Sequence, residues 1–315
     1  MSTEKAKEVW IQCPCFNEEK NLHVIYERFK NVAEANPLYN FRFLFVDDHS
    51  TDNTWSFLEL IAGADSRVAA IRLAINAGAH AASSAGLQYN KGDCVIVMSA
   101  DMQDPPEIIP AMLEKWEQGA KIVWAYRDEH ERQGFLEGVL GSMYWFFMRK
   151  FVLPETHPRG ADFFLADKQV IRVINTIKER NRSLLALLNV VGFEQASIAY
   201  HKQKRLHGKS KWRLSRKIKF TIDSIIGYTH LPVRMMSAIG IVISIVSFVY
   251  GIKVVFNYFN GIPVAGWSSA ILISLVIGGV TMTMLGIVGE YLWRILDEVR
   301  GRPYFVVEKS ANLPE

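Results

Sequence analysis

The sequence predicts an α/β domain with a mainly parallel sheet, followed by interfacial helices and two membrane-spanning helices. Three observations carry this. Short apolar runs alternate with segments of helical period from Val9 to Arg127, acidic or polar turns close three of the runs, and two long apolar stretches lie near the carboxyl end. The expected boundaries are a sheet domain over 1–213, a juxtamembrane amphipathic helix over 214–231, a two-helix membrane region over 232–296 and a cytoplasmic tail over 297–315.

Val9 to Cys13 reads as the first strand, with Pro14-Cys15-Phe16-Asn17-Glu18-Glu19 after it. A helix over Asn21 to Ala35 follows, carrying Leu22, Ile25, Phe29 and Val32 at helical spacing. Phe41 to Val46 is the second strand and ends in Asp47-Asp48-His49-Ser50-Thr51-Asp52, where Thr51 or Asp52 can cap the next helix. Val68 to Leu73 is the third, and Asn76-Ala77-Gly78 leads into a small-residue helix over Ala79 to Gln88. Cys94 to Met98 has the continuous apolar character of a central strand. Pro105 and Pro106 reset the chain into the following helix. Ile122 to Tyr126 is the fifth strand, ending at Arg127. Right-handed crossovers lay such strands mainly parallel, so the loops after Cys13, Val46 and Met98 fall on one edge.

The chain has 315 residues, half of them hydrophobic, which suffices for one α/β core and a further segment. Its net charge of +4 is modest, and the location of the cations matters more. From His201 to Phe220 stand Lys202, Lys204, Arg205, Lys209, Lys211, Arg213, Arg216, Lys217 and Lys219, with no Asp or Glu among them. The three cysteines, Cys13, Cys15 and Cys94, lie in or beside buried strands and fit reduced cytosolic thiols better than a disulfide framework. The charged amino terminus has no apolar core of a signal peptide. No nucleic-acid partner is expected.

Pro232 to Phe259 and Ser268 to Leu292 are each long enough for a hydrocarbon core that needs about 20 helical residues. Their connection, Asn260 to Trp267, has no Lys or Arg. Arg234 and the basic run precede the first span, and Arg294, Arg300 and Arg302 follow the second. By the positive-inside rule both ends are cytoplasmic, with the protein in the plasma (inner) membrane. Gly240, Ser244, Ser247 and Gly251, with Ser274, Gly278 and Gly286, offer small-residue packing faces. Glu290 can pair with Arg294 one turn later. Leu136 to Val152 is too aromatic for a solvent helix and either lies in the headgroup region or packs on the sheet. Leu214 to Tyr228 reads as a surface-lying helix. Arg302 to Val307 reads as an extended strand, with pairing to a neighbouring subunit, hence a homo-oligomer, as its expected role.

Asp101, Gln103 and Asp104 place two carboxylates and an amide oxygen in one loop turn, a hard-oxygen set suited to Mg2+ or Mn2+ carrying a diphosphate. Alone, Asp-x-x-Asp is equally an ordinary solvated turn. The case rests on Glu18, Asp47, Asp48, Asp101 and Asp104 sharing one sheet edge, since such a group repels itself unless a cation or polar ligand lies there. A hydride-transfer dinucleotide fold fits poorly, because no Gly-x-Gly-x-x-Gly follows the first strand.

Pro14-x-Phe16-Asn17-Glu18, Val46-Asp47-Asp48-x-Ser50-x-Asp52 and Ser99-Ala100-Asp101-x-Gln103-Asp104-Pro105-Pro106 together resemble the motifs of the family 2 glycosyltransferases. Within them the chain is similar to the polyprenyl-phosphate branch, which includes dolichyl-phosphate mannose synthases and bactoprenol glucosyltransferases. The likeness continues through Ala161-Asp162-Phe163, Glu179-Arg180-Asn181-Arg182, Val191-Gly192-Phe193 and Lys209-Ser210-Lys211-Trp212 to the paired spans. It implies a Rossmann-like GT-A fold and metal-dependent, inverting transfer of a hexose from a nucleotide sugar, uridine-linked by commonest usage, to a polyprenyl phosphate.

By the same resemblance, Pro14, Phe16, Glu18, Asp47 and Asp48 would hold the nucleoside, and Asp101 with Gln103 would bind the metal. Asp162 would lie beside the transfer centre as base or orienting group, and Asp101 is counted with it as catalytic. Arg127, Arg205, Lys209 and Lys211 would contact donor or acceptor phosphates, and the basic run would also adhere to anionic membrane lipids. The pattern departs from the family at Ser99, where the metal loop usually begins with Asp, at Ile75 and Phe164, where Arg is common, and at Phe16, where Tyr is common. Arg72 can stand in for the first of those arginines. A scaffold that binds nucleotide sugar or lipid phosphate and a processive polysaccharide synthase are the alternatives.

Overall fold

The computed structural model describes residues 6–128, 163–177, 179, 183–201, 203, 231–261 and 266–314. The chain divides into two compact units, Met1–Arg213 with Pro303–Glu315, and Leu214–Arg302.

In the first unit, strands β1 (Lys7–Cys15), β2 (Tyr39–Asp47), β3 (Val68–Leu73), β4 (Cys94–Val97), β5 (Ile122–Arg127), β6 (Phe163–Asp167), β7 (Gln195–Tyr200) and β8 (Val307–Ala311) form one sheet. Its order is β7-β5-β6-β4-β1-β2-β3-β8. β6 and β8 run antiparallel to their neighbours, and the remaining pairs are parallel. The first five strands lie where hydrophobic patterning places them, and the sheet is mainly parallel as expected. β6 and β7 escape that patterning. β6 runs directly into the next helix with no turn signal, and β7 alternates weakly.

Helices α1 (Glu19–Ala35), α2 (Thr54–Ala64), α3 (Ala79–Tyr89), α4 (Ile109–Glu117), α5 (Lys168–Thr176) and α6 (Leu184–Val190) cover both faces. Alternation along the strands divides the core accordingly. Val9, Ile11, Phe43, Phe45 and Ile96 meet Leu22, Ile25 and Phe29 of α1, Leu58 of α2 and Met112 of α4. Trp10, Leu44, Val46, Val95 and Val97 meet Ala82 and Ala85 of α3, Ile171 of α5 and Leu187 of α6. Each fully buried Leu, Ile or Phe contributes about 1.5–3 kcal/mol by leaving water. The N-cap position of α2 falls on Asn53, not on Thr51 or Asp52, and makes no side-chain cap bond; Asp52, one residue earlier, accepts from the Thr54 N–H at 3.0 Å.

The small residues of α3 have a steric reason. Gln12, fully buried in β1, donates from Nε2 to the Ser83 carbonyl at 2.7 Å. A Cβ on Gly86 would stand 2.3 Å from the Gln12 Cδ, so only glycine lets helix and strand approach so closely.

The tail corrects an expectation. Its strand begins at Val307 and pairs antiparallel with β3 of its own chain, where pairing with a neighbouring subunit was expected. The physical reason is that β3 would otherwise present an unpaired edge, and Phe305 and Val307 pack onto the apolar cluster beneath it.

In the second unit, α7 (Leu231–Phe259) and α8 (Trp267–Val299) are both long and apolar enough to cross a membrane. α8 outruns the expected span by extending through charged turns to Val299. Glu290 pairs with Arg294 at 3.4 Å, as expected. A Cβ on Gly240 would meet Met284 at 3.4 Å, so the two helices pack at that small residue. Leu136 to Val152, Leu214 to Tyr228 and most of the basic run lie outside the described residues.

Candidate functional site

The chain runs from β1 outward to β2 and β3, then returns to β4 on the other side of β1. The point where direction reverses lies between the carboxyl ends of β1 and β4, where open α/β sheets bind ligands. The acidic loops converge on it. The buried Cys13 thiol near the end of β1 is raised well above its ordinary value, first by burial and then by the negative charges of Glu18, Asp101 and Asp104.

Each of the four adjacent strands β4, β1, β2 and β3 hands over to a loop with one residue of left-handed backbone. These are Met102 (φ 62°), Asn17 (55°), His49 (61°) and Gly78 (91°). Gly, Asn and His adopt this conformation more readily than other residues, whereas Met needs the surroundings to hold it there. Around Met102, the Asp101 N–H donates to Ser99 Oγ at 3.2 Å and the Gln103 N–H donates to Asp101 Oδ1 at 3.1 Å. Ser99 thus organises this loop through its hydroxyl.

The other loops are stitched together. The Asn17 N–H donates to Ser50 Oγ at 2.9 Å, the Thr51 N–H donates to Asn17 Oδ1 at 2.8 Å, and the Glu18 N–H donates to Thr54 Oγ1 at 3.0 Å. Asp47 is fully buried, and its Oδ1 accepts from the Ser50 N–H at 2.9 Å. Asp48 accepts from the Ala77 and Gly78 N–H groups at 2.7 and 2.9 Å, tying the second loop to the third. Both acids therefore organise the loops at this edge.

Burial lifts the Asp48 carboxyl from 3.8 to about 6, against the pull of those two N–H groups. Since the folded value lies above the ordinary one, the folded protein binds a proton that the unfolded chain lacks between them. The stabilisation is complete below 3.8 and lost as pH rises through about 6. Lowering the pH from about 7 to about 5 should therefore shift the difference in thermal midpoint between wild type and Asp48→Asn in favour of wild type. A difference that is flat with pH would contradict this assignment.

Asp104 behaves unlike a metal ligand. Its carboxylate is buried, accepts from the Tyr200 hydroxyl and lies 4.0 Å from Arg127 Nη2. The Arg127 Nε donates to the Tyr200 oxygen at 3.4 Å. Burial and the Asp104 charge push the Tyr200 hydroxyl far up. Asp104 therefore leaves the hard-oxygen set expected from its spacing and serves as an anchor, and the described contacts turn Arg127 toward that anchor.

A second tie runs beside it. The Gln203 N–H donates to the Gln103 carbonyl at 3.0 Å, and Arg28 of α1 bridges the Gln203 side chain, at 3.1 Å, to Glu107, at 2.9 Å. The chain thus enters its basic run from a point bonded to the acidic loop. Arg28, Tyr200 and Gln203 have no motif of their own, and only the knowledge that β7 ends beside β5 would have found them.

Pro14, Phe16, Glu18, Asp47, Asp48, Asp101 and Gln103 all lie in the converging strand ends and loops, and Arg127 ends β5. Asp162, Arg205, Lys209 and Lys211 lie outside the described residues, although Phe163, next to Asp162, opens β6 at the carboxyl end of β4.

Among the described residues no group of three or more His, Cys, Asp or Glu side chains is arranged to hold a metal unaided. Half-buried Asp101 and Gln103 instead suit a hard cation that takes one or two protein oxygens and completes its shell with substrate phosphates and water. The donor set fits an ion that arrives with a diphosphate.

Comparison with known proteins identifies the family. An uncharacterised glycosyltransferase of Bacillus subtilis, YkcC, is 34% identical over 304 residues, covering 96% of this chain and 94% of that one. The SfII prophage-derived bactoprenol glucosyl transferase of Shigella flexneri is 32% identical over 298 residues, covering 94% and 96%. Among solved structures, mannosyl-3-phosphoglycerate synthase from Rubrobacter xylanophilus matches with a TM-score of 0.49 at 17% identity, over 74% of this chain and 75% of that one. Residues 11–174, the span from β1 to α5, match the model of glycosyl transferase family 2, and the chain belongs to that family.

Proposed function

We propose that the protein transfers a sugar from a nucleotide sugar, uridine-linked, to a polyprenyl phosphate at the cytoplasmic face of the membrane. The observation that carries this is the match to a bactoprenol glucosyl transferase over 94% of the chain, an extent that takes in both apolar helices as well as the sheet. Sidedness draws support from two features. The cations flank the pair of helices and spare its connection, and β8 rejoins the sheet after α8, so two crossings return the chain to the side it left.

The loops after β1 and β2 hold the nucleoside, with Pro14, Phe16, Glu18, Asp47 and Asp48 as its walls. Asp101 and Gln103 would hold Mg2+ or Mn2+, which when bound offsets charge on the departing diphosphate. The acceptor phosphomonoester, with a second pKa of about 6, is largely dianionic at neutral pH. It needs orienting more than deprotonating, and we assign Asp162 that role. An acceptor phosphate oxygen forms the new bond to the anomeric carbon from the face opposite the leaving group. The old carbon–oxygen bond breaks with its electron pair on the nucleoside diphosphate, and the configuration inverts. Arg205, Lys209 and Lys211 offset the charge of two anionic substrates.

The test offers purified protein a panel of nucleotide sugars with a polyprenyl phosphate and Mg2+ or Mn2+, and reads the mass of the lipid product. A single added hexose is expected. A polymer would favour a processive synthase, and nucleotide binding without any product would favour a scaffold.

A further inference from the structure

We propose that Glu308, in the strand after the second apolar helix, is a positioning residue for the nucleotide-sugar site, acting through Arg72. The inference rests on the proposed function, since it assigns the Asp47-Asp48 loop to the nucleoside.

The sheet register singles this residue out. Arg72 pairs with Lys309 and Leu73 with Val307, so Glu308 is the extra residue of a β-bulge. Bulges re-aim a side chain and are common beside active sites. Here the Glu308 carboxylate lies 3.3 Å from Arg72 Nε and 3.7 Å from His49 Nδ1.

Arg72 in turn reaches the second loop. Its Nη2 donates to the Ser50 carbonyl at 3.1 Å, and its Nε lies 3.7 Å from Asp47 Oδ2. That Asp47 oxygen and the Arg72 Nε are both buried, with no hydrogen-bond partner among the described residues. Asp47 alone thus holds the guanidinium loosely, and Glu308 supplies the closer charge. His49, whose backbone is left-handed, sits in the same group and bonds the Leu73 carbonyl at 3.0 Å. One tail carboxylate therefore touches two of the side chains that shape the loop.

The pair is part-exposed, at 20% for Arg72 and 41% for Glu308, so its energy as an ion pair is small. Its consequence lies in where it leaves Arg72. Simple Coulomb reasoning predicts the opposite sign, because deleting a negative charge near an anionic ligand favours binding. The two readings are therefore separable.

The experiment compares wild type, Glu308→Gln, Arg72→Gln, the double variant and, as a strand control, Ser310→Ala, all as full-length protein in detergent. Binding of UDP, GDP and CDP with Mn2+ is titrated, and turnover is measured with the matching nucleotide sugar. Glu308→Gln is expected to weaken nucleotide binding and raise the donor KM about fivefold, with kcat and acceptor KM within about twofold. The double variant should lose no more than Arg72→Gln alone, and Ser310→Ala should match wild type.

Unchanged or tighter binding in Glu308→Gln, or losses that multiply in the double variant, would overturn the assignment. A uniform fall in kcat with a lowered thermal midpoint would show a merely structural strand and overturn it as well. Wild type that binds none of the three nucleotides would instead refute the proposed function, and this inference with it.

Discussion

Asp101→Ala should lower sugar transfer on the order of a thousandfold, while the protein remains folded and in the membrane. Asp101 is the acidic side chain of the β4 loop that Asp104, clamped by Tyr200 and Arg127, does not duplicate. With Ser99 where the family usually has a carboxylate, the loop has little reserve. Structural damage should be small, because Asp101 is only half-buried and its bond to the Gln103 N–H lies within its own loop. Lipid-product mass measures the first outcome and the thermal midpoint the second. Undiminished turnover would refute the metal assignment.

Charge reversal at Lys209 and Lys211 should cut turnover about a hundredfold, on the scale of one or two lost charge-assisted contacts. Membrane retention should stay near wild type. A basic residue near an anionic surface is worth about 1 kcal/mol, which is minor beside two apolar spans. The entry to this run is fixed at the acidic loop by the Gln203 N–H to Gln103 carbonyl bond. Turnover and fractionation after an alkaline wash distinguish the outcomes. Equal losses of both would favour membrane adhesion as the role of the run.

The amount of this legible in the sequence follows from the range of the forces involved. β1 to β5 and α1 to α4 announce themselves through local periodicity, and the shared edge of Glu18, Asp48 and Asp101 follows from the handedness of crossovers. Long apolar runs likewise reveal α7 and α8. The division of labour among the carboxylates was hidden, because it is decided by partners distant in sequence. Asp104 is taken up by Tyr200, and Asp48 is spent largely on Ala77 and Gly78. β8 was hidden for the same reason: an extended tail shows strand character, but its partner is decided by which sheet edge lies open.

The most direct test of the central claim is Mn2+ affinity, read from the loss of the free-ion electron paramagnetic resonance signal and corrected for ion bound by free nucleotide. An edge that shares its cation with a diphosphate should bind Mn2+ at least about tenfold more tightly with nucleoside diphosphate present, and Asp101→Ala should abolish that gain. Equal affinity with and without nucleotide, in wild type and variant alike, would contradict it.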